Sequence, residues 1–387
     1  MLTVNEVWAK LDALSVSLPA ERVPLAEAAG RVLREVVCAP EDQPAFDRAA
    51  IDGYVARLDT PCGARLRICG EIAAGGLAPL APEAGEARRL FTGSAVPEGE
   101  VGLVMWEDTE RVEGDVILRR VPTADWIRRR ASQARAGAEL LPVGRVLNAG
   151  ALALLASLGV VEPLVSRRPR VVHLVTGGEL LAPELPPVAG FIRDSNSTLI
   201  AALLAESRAE CVGHARAGAD YAEQAAGLAG LLEKQPALVL ISGGASGGEH
   251  DFTRRLLVEQ GFAFVVEQVA ARPGKPLLVA KRGAQIAIGL PGNPLSHFVC
   301  FHLFVARVLA GLTGAAAATP VWLPLAPGAV LRANVRETWW PATRVADGYA
   351  PLGWADSSDL TVLSRTHALL RVPSGAVPET RAEGLLV

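Results

Sequence analysis

Ala237-Leu-Val-Leu-Ile-Ser-Gly-Gly-Ala-Ser-Gly-Gly-Glu-His-Asp251 decides the fold. An uninterrupted apolar run, Ala237 to Ile241, reads as a strand buried on both faces. It passes straight into a glycine loop, Ser242 to Asp251, and Phe252 onward reads as a helix. Two further loops share this character: Pro273-Gly-Lys-Pro276, and Gly289-Leu-Pro-Gly-Asn-Pro294 after the strand run Gln285 to Gly289. In an open α/β sheet, ligands sit beyond the carboxyl ends of the strands. Glycines there let bare N–H groups approach an anion, and a following helix N-terminus adds a favourable dipole. Three such loops point to a phosphate-bearing or otherwise anionic ligand.

The 387 residues exceed one ordinary core, so several domains are expected. A net charge of -3 leaves no basic footprint for nucleic acid and no polybasic membrane segment. The Arg128-Arg129-Arg130 run reads as a solvated face. Five cysteines without a Cys-x-x-Cys pair argue against a disulfide framework or structural zinc and for a reducing, cytoplasmic setting. The first residues lack a signal-peptide pattern, and no uncharged stretch is long enough for a membrane span.

The chain reads as a multidomain α/β plus β protein. Helical spacing over Val4–Val16, a second helix over Leu25–Val37 broken near Gly30, and a helical pattern over Ala136–Gly159 make a discontinuous helical linker domain, 1–40 and 136–168. Between them, short β-like runs (Arg65–Cys69, Ala87–Thr92, Val101–Trp106, Asp115–Arg119) suggest a small antiparallel insertion, 41–135. Alternating strands and helices over 169–318 give a mostly parallel sheet. Residues 319–387 form a strand-like, proline-rich tail domain.

Glu179, in Thr176-Gly-Gly-Glu-Leu180, and Asp251 both follow predicted strand ends, so one crevice can receive them. Two carboxylates beside an anion call for a cation between them, and Mg²⁺ is the expected one. Equally, Glu179 can cap a turn and Asp251 a helix. Lys275 between two prolines is either a cation at a fixed point or a solvated turn residue. Gly244 to Gly248 matches a G-x-S-x-G elbow around Ser246, but its spacing from strand and helix fits a nucleophile turn poorly. His297 and His302 fall in an apolar helix, Leu295–Leu312, as core histidines. His250 is the one histidine with a functional reading. Asp194, Ser195 and Asn196 are capping candidates for the helix that follows. Ala50 to Tyr54 and Thr92 to Gly99 read as tight turns.

Taken in order, Ala50-Ile-Asp-Gly-Tyr54, Thr92-Gly-Ser-Ala-Val-Pro-Glu-Gly99, Thr176 to Leu180, Asp194-Ser-Asn-Ser197, Ser242 to Asp251, Pro273 to Pro276 and Gly289 to Pro294 resemble the molybdopterin molybdenumtransferase family, of the MoeA and gephyrin E-domain type. The resemblance implies a central molybdopterin-binding α/β domain, a β-rich insertion, a helical linker domain and a small β-barrel-like C-terminal domain. It implies insertion of molybdate into adenylylated molybdopterin with Mg²⁺-dependent loss of AMP. It also implies a homodimer in which Asp52 and Thr92 reach in from the partner. Glu179, Asp251 and Lys275 would be catalytic, with Glu179 and Asp251 on the metal. Thr176, Gly177, Asp194, Ser195, Ser242, Gly243, Gly244, Ser246, Gly247, Pro273, Gly274, Pro291, Gly292, Asn293 and Pro294 would bind the pterin. Molybdopterin adenylyltransferase and molybdoenzymes or their chaperones are the partners implied.

The chain departs from the family pattern at three places. Ala131-Ser-Gln133 stands where Gly-Glu-Asp is usual, an acidic pair is reduced to Asp220, and Ala49 replaces a serine. Gln133 motivates an alternative: a paralogue that carries molybdopterin or the finished cofactor without inserting metal.

Overall fold

The computed structural model describes residues 1–14, 16–243 and 252–387. The chain divides into two compact units: 1–34, 143–153 and 161–387 form one, and 35–142 with 154–160 the other.

The larger unit is built on a six-stranded sheet. Its order is Glu210–Ala217, Arg170–Thr176, Leu238–Ser242, Gln285–Leu290, Leu278–Arg282, Ala263–Val266. The first four strands are parallel; the helices Asn196–Glu206 and Tyr221–Leu232 join the first three of them, and the chain reaches Gln285–Leu290 by way of the helix Phe252–Glu259 and the last two strands. The last two are antiparallel, which makes the sheet mixed. The cause is local: Arg282 pairs with Gln285 across the two residues Gly283 and Ala284, and so short a connection can only reverse the chain.

The helix after Leu290 runs from Pro294 to Thr313, interrupted by a π turn at Phe301–Val305. By length and composition it could cross a membrane, but 72% of it is buried inside the protein, as a core helix requires. It packs on the helix Val4–Leu14. Trp8 Nε1 donates to the Leu303 carbonyl at 2.8 Å, and Arg307 grips both oxygens of Asp12 at 2.7 Å. Downstream, the strands Val321–Pro324, Glu337–Val345, Gly348–Pro351, Ala368–Val372 and Arg381–Leu386 make a second sheet around the fully buried Trp339. Ala271–Arg272 joins this sheet, parallel to Glu337–Val345.

The smaller unit holds a six-stranded sheet: Val101–Met105, Gly53–Arg57, Glu86–Leu90, Arg65–Ile72, Asp115–Leu118, Thr109–Val112. The expected antiparallel character holds except between Arg65–Ile72 and Glu86–Leu90, which run parallel. The long excursion 73–85 carries the chain back to start in the same direction. Arg129 and Arg130 of the basic run are exposed and pair with Asp47 and Asp42, both at 2.6 Å.

Of two helical stretches expected from apolar spacing, one is absent and one is much shortened. Leu25–Val37 keeps only a 3-10 turn, Leu25–Glu27, because Gly30 turns the chain at φ +72 and Val32 and Leu33 then bridge to Val146 and Val165. Of Ala136–Gly159 only Ala149–Ser157 is helical, while Glu139–Leu141 pairs with Val37–Cys38. β-branched valines favour such pairing over helix.

His302, in the π turn, meets Phe298 edge-on at 4.4 Å, and its Nε2 is buried with no hydrogen-bond partner among the described residues. Burial pushes this imidazole down to about 4. The unfolded chain takes up the proton near the ordinary 6.5, so folding stability is lost as pH falls from there towards 4, by about 1.4 kcal/mol per pH unit. His302→Leu should therefore melt no lower than the parent at pH 7, and its advantage should widen at pH 5. Thermal melts at the two pH values check this; a variant less stable at pH 5 contradicts it.

Candidate anion-binding site

Parallel register sets the site. Val175 lies opposite Ser242, and Ser242 opposite Leu290, so the loops after three adjacent strands begin side by side. The chain leaves Arg170–Thr176 for one neighbour and then crosses to Leu238–Ser242 on the other side. The topological switch point, where α/β sheets open a crevice, falls between those two strands. A cleft of about 1490 Å³ opens there, lined by residues of 176–179, 194–196, 242–243, 272–276, 291–294 and 354–358. The walls approach closely: a Cβ on Gly243, which sits at φ +90, would fall 2.5 Å from the Thr176 carbonyl oxygen.

Each of three loops presents two adjacent backbone N–H groups with no partner among the described residues: Gly178 and Glu179, Gly274 and Lys275, Gly292 and Asn293. Four carbonyls of these loops are tied back. Ile192 N donates to Glu179 O at 2.9 Å, Val269 N to Lys275 O at 3.1 Å, Asn196 Nδ2 to Gly292 O at 2.7 Å, and His297 Nδ1 to Pro291 O at 2.9 Å. With acceptors engaged behind and donors left over in front, the loops offer an anion concave sets of N–H dipoles.

Side-chain charge is mixed. Arg193, Arg272, Lys275 and Arg336 face Glu179, Asp194 and Asp356 around the cleft. Lys275 is exposed and without an ion-pair partner among the described residues. Arg272 lies over the Trp354 ring at 5.1 Å, and Arg336 Nη1 donates to Ala271 O at 2.9 Å. The Ser358 hydroxyl, then its backbone N–H, hold the Asp356 carboxyl below the usual carboxylate range.

The pterin-binding candidates Thr176, Gly177, Asp194, Ser195, Ser242, Gly243, Pro273, Gly274, Pro291, Gly292, Asn293 and Pro294 all line this cleft, as do Glu179 and Lys275. Three have structural tasks there. Buried Asp194 accepts from Ser197 N at 3.0 Å and from its hydroxyl at 2.5 Å, capping the Asn196–Glu206 helix. Thr176 Oγ1 donates to Ser242 O at 3.2 Å. The Ser242 hydroxyl points away from any guest, between His173 and His297. Asp52 and Thr92 belong to the other unit and to each other: Thr92 N and Oγ1 donate to Asp52 Oδ1 at 2.7 and 3.0 Å. Asp220 caps the Tyr221–Leu232 helix through Glu223 N. Gly244, Ser246, Gly247, His250 and Asp251 lie outside the described residues. Among those described, no group of three or more His, Cys, Asp or Glu is placed to hold a metal.

Sequence reading missed Arg336 and the loop 354–358. That loop docks on the third glycine loop, with Asn293 Nδ2 donating to Ser357 Oγ at 2.6 Å and Leu295 N to Ser357 O at 3.1 Å. Its Asp356-Ser-Ser turn was visible, but nothing local says where it docks.

Paired free N–H groups at the switch point of such a sheet define an anion-binding α/β domain, and residues 173–311 match the family model described as a probable molybdopterin binding domain. Residues 2–159 match that of the MoeA N-terminal region (domain I and II). The chain is 32% identical to the molybdopterin molybdenumtransferase of Nostoc sp., over 100% of this chain and 92% of that one. It is 34% identical to the Haemophilus influenzae protein of that name, over 81% and 78%. The crystal structure of the Pyrococcus horikoshii moeA protein shares the fold with a TM-score of 0.82 at 24% identity, each chain covered fully. The chain belongs to the molybdopterin molybdenumtransferase family. Its relatives carry a transferase name, and none of them favours the carrier reading that Gln133 raised.

Asp194→Ala should cost about 1 kcal/mol, the usual value of an N-cap. A denaturant titration that leaves the midpoint unmoved would remove Asp194 from that role.

Proposed function

We propose that the chain inserts molybdate into adenylylated molybdopterin and releases AMP, and that the cleft of the larger unit holds the reacting groups. The reading rests on the three N–H pairs of 178–179, 274–275 and 292–293, which have no partner among the described residues and belong to residues that line one cleft. A dianionic oxoanion and a phosphoanhydride repel each other, and preorganised donors offset that repulsion without reorganising as the reaction proceeds. Lys275, Arg272 and Arg336 add positive charge, with Arg272 stacked on Trp354 and Arg336 tied to the Ala271 carbonyl. The engaged Pro291 and Gly292 carbonyls keep those two oxygens out of the anion's path.

Mg²⁺ takes one or two carboxylates and completes its shell with substrate oxygens and water. Glu179, exposed at the cleft, would supply one carboxylate, and Asp251 would supply the second by the family motif. When bound, the ion neutralises phosphate charge and favours departure of AMP.

The remaining assignments belong to the same proposal. The chain comprises 1–40 with 136–168, 41–135, 169–318 and 319–387 as four domains, the last barrel-like. It works as a cytoplasmic homodimer in which Asp52 and Thr92 complete the partner's cleft. Their mutual pairing gives that contact a preformed shape. An adenylyltransferase supplies the substrate, and molybdoenzymes or their chaperones receive the product.

The test is an insertion assay with adenylylated molybdopterin, molybdate and Mg²⁺, following AMP. Asp251→Ala should abolish AMP release, and Lys275→Ala should lower kcat/KM by about 10²-fold, the size expected for one preorganised electrostatic group. Parental turnover in Asp251→Ala contradicts its assignment.

A further inference from the structure

Beneath the cleft runs a buried hydrogen-bond chain that the proposed chemistry does not use. His173, Ser242 and His297 are each at most 1% exposed. His173 Nε2 lies 2.5 Å from Ser242 Oγ, Ser242 Oγ 3.1 Å from His297 Nε2, and His297 Nδ1 2.9 Å from the Pro291 carbonyl oxygen.

The chain has a direction, because a carbonyl can only accept. His297 must therefore carry its proton on Nδ1. Burial lowers this ring to about 4 and His173 well below its ordinary range, so both are neutral near pH 7. A neutral His297 protonated on Nδ1 has a bare Nε2, which accepts a hydrogen bond from the Ser242 hydroxyl. The Ser242 oxygen then accepts from His173 Nε2–H. One hydroxyl thus joins the strand that leads to Gly178, the strand that leads to Gly243 and the helix beyond Asn293. The same helix supports the remaining loop: a Cβ on Gly274 would meet Cys300 Sγ at 2.6 Å, and Cys300, three residues after His297, shares its helical face.

We propose that Ser242 is a positioning residue: through His297 its hydroxyl fixes the Pro291 carbonyl, and so holds the Gly292 and Asn293 N–H groups towards an anionic guest while locking that loop to the Arg170–Thr176 strand. The inference rests on the reading of the cleft as an anion site. It separates two tasks within the glycine loop, in which the Ser242 side chain organises donors and does not itself touch the ligand.

Inorganic pyrophosphate titrated by calorimetry probes the donors without needing the full reaction. Ser242→Ala should bind it about tenfold more weakly, and in the insertion assay should raise KM by a similar factor with kcat within about threefold of the parent. Leu228→Ala, equally buried in a different core cluster, should lower stability yet leave both constants unchanged. Imidazole nitrogen shifts by NMR should show His297 as the Nδ1–H tautomer and His173 as the Nε2–H tautomer, with His297 losing that preference in Ser242→Ala. Unchanged pyrophosphate affinity in Ser242→Ala, the opposite His297 tautomer in the parent, or a parent that binds no pyrophosphate overturns the inference. Weakened pyrophosphate binding in Ser242→Ala, with no turnover by the parent, upholds the inference and removes the transferase reading. Parental turnover with an unchanged KM in Ser242→Ala does the reverse.

Discussion

Parallel pairing of Arg170–Thr176, Leu238–Ser242 and Gln285–Leu290 is the constraint on which the site depends. Parallel strands put all their carboxyl ends on one edge, and the aligned register brings Val175, Ser242 and Leu290 to one level. Every loop that leaves this edge starts within reach of its neighbours. The apolar residues that bury both faces of the sheet thereby also place the polar chemistry. Shifting one strand by a residue would move its loop out of the cleft and turn its side chains to the wrong layer.

The cleft combines two kinds of donor with different physical virtues. Backbone N–H groups are fixed by their own loops and lose little freedom when a guest arrives. Lysine and arginine carry full charge but on flexible stems. Here the stems of Arg272 and Arg336 are steadied by Trp354 and by the Ala271 carbonyl, so the charged groups approach the order of the backbone ones. Exposed Lys275 owes its placement to its backbone, held by Val269 and flanked by proline.

Much of this was legible in the chain because loops that receive anions need glycine at specific points, and glycine is conspicuous. Aliphatic runs before Ser242 and before Leu290 made the strands equally plain. The site's other wall was hidden. Arg336 and Ser357 reach the cleft through pairings far along the sequence, and no local pattern encodes which distant loop a serine turn will meet. Leu25–Val37 misled for a related reason: its apolar spacing suits a helix, but Val32 and Leu33 find strand-like partners in remote segments. His297 was legible as a core residue and not as a support for Pro291, since burial follows from composition while a hydrogen-bond partner depends on where the chain turns.

The short strand Ala271–Arg272 has a consequence for how this protein can be taken apart. It is stitched into the C-terminal sheet beside Glu337 and Thr338, and the lysine loop begins at the very next residue. The final sheet is thus an anchor post for part of the cleft rather than an appendage. Shortening or swapping the tail would slacken Lys275 from below, so recombination between relatives should join their chains upstream of Ala271 or leave the tail in place.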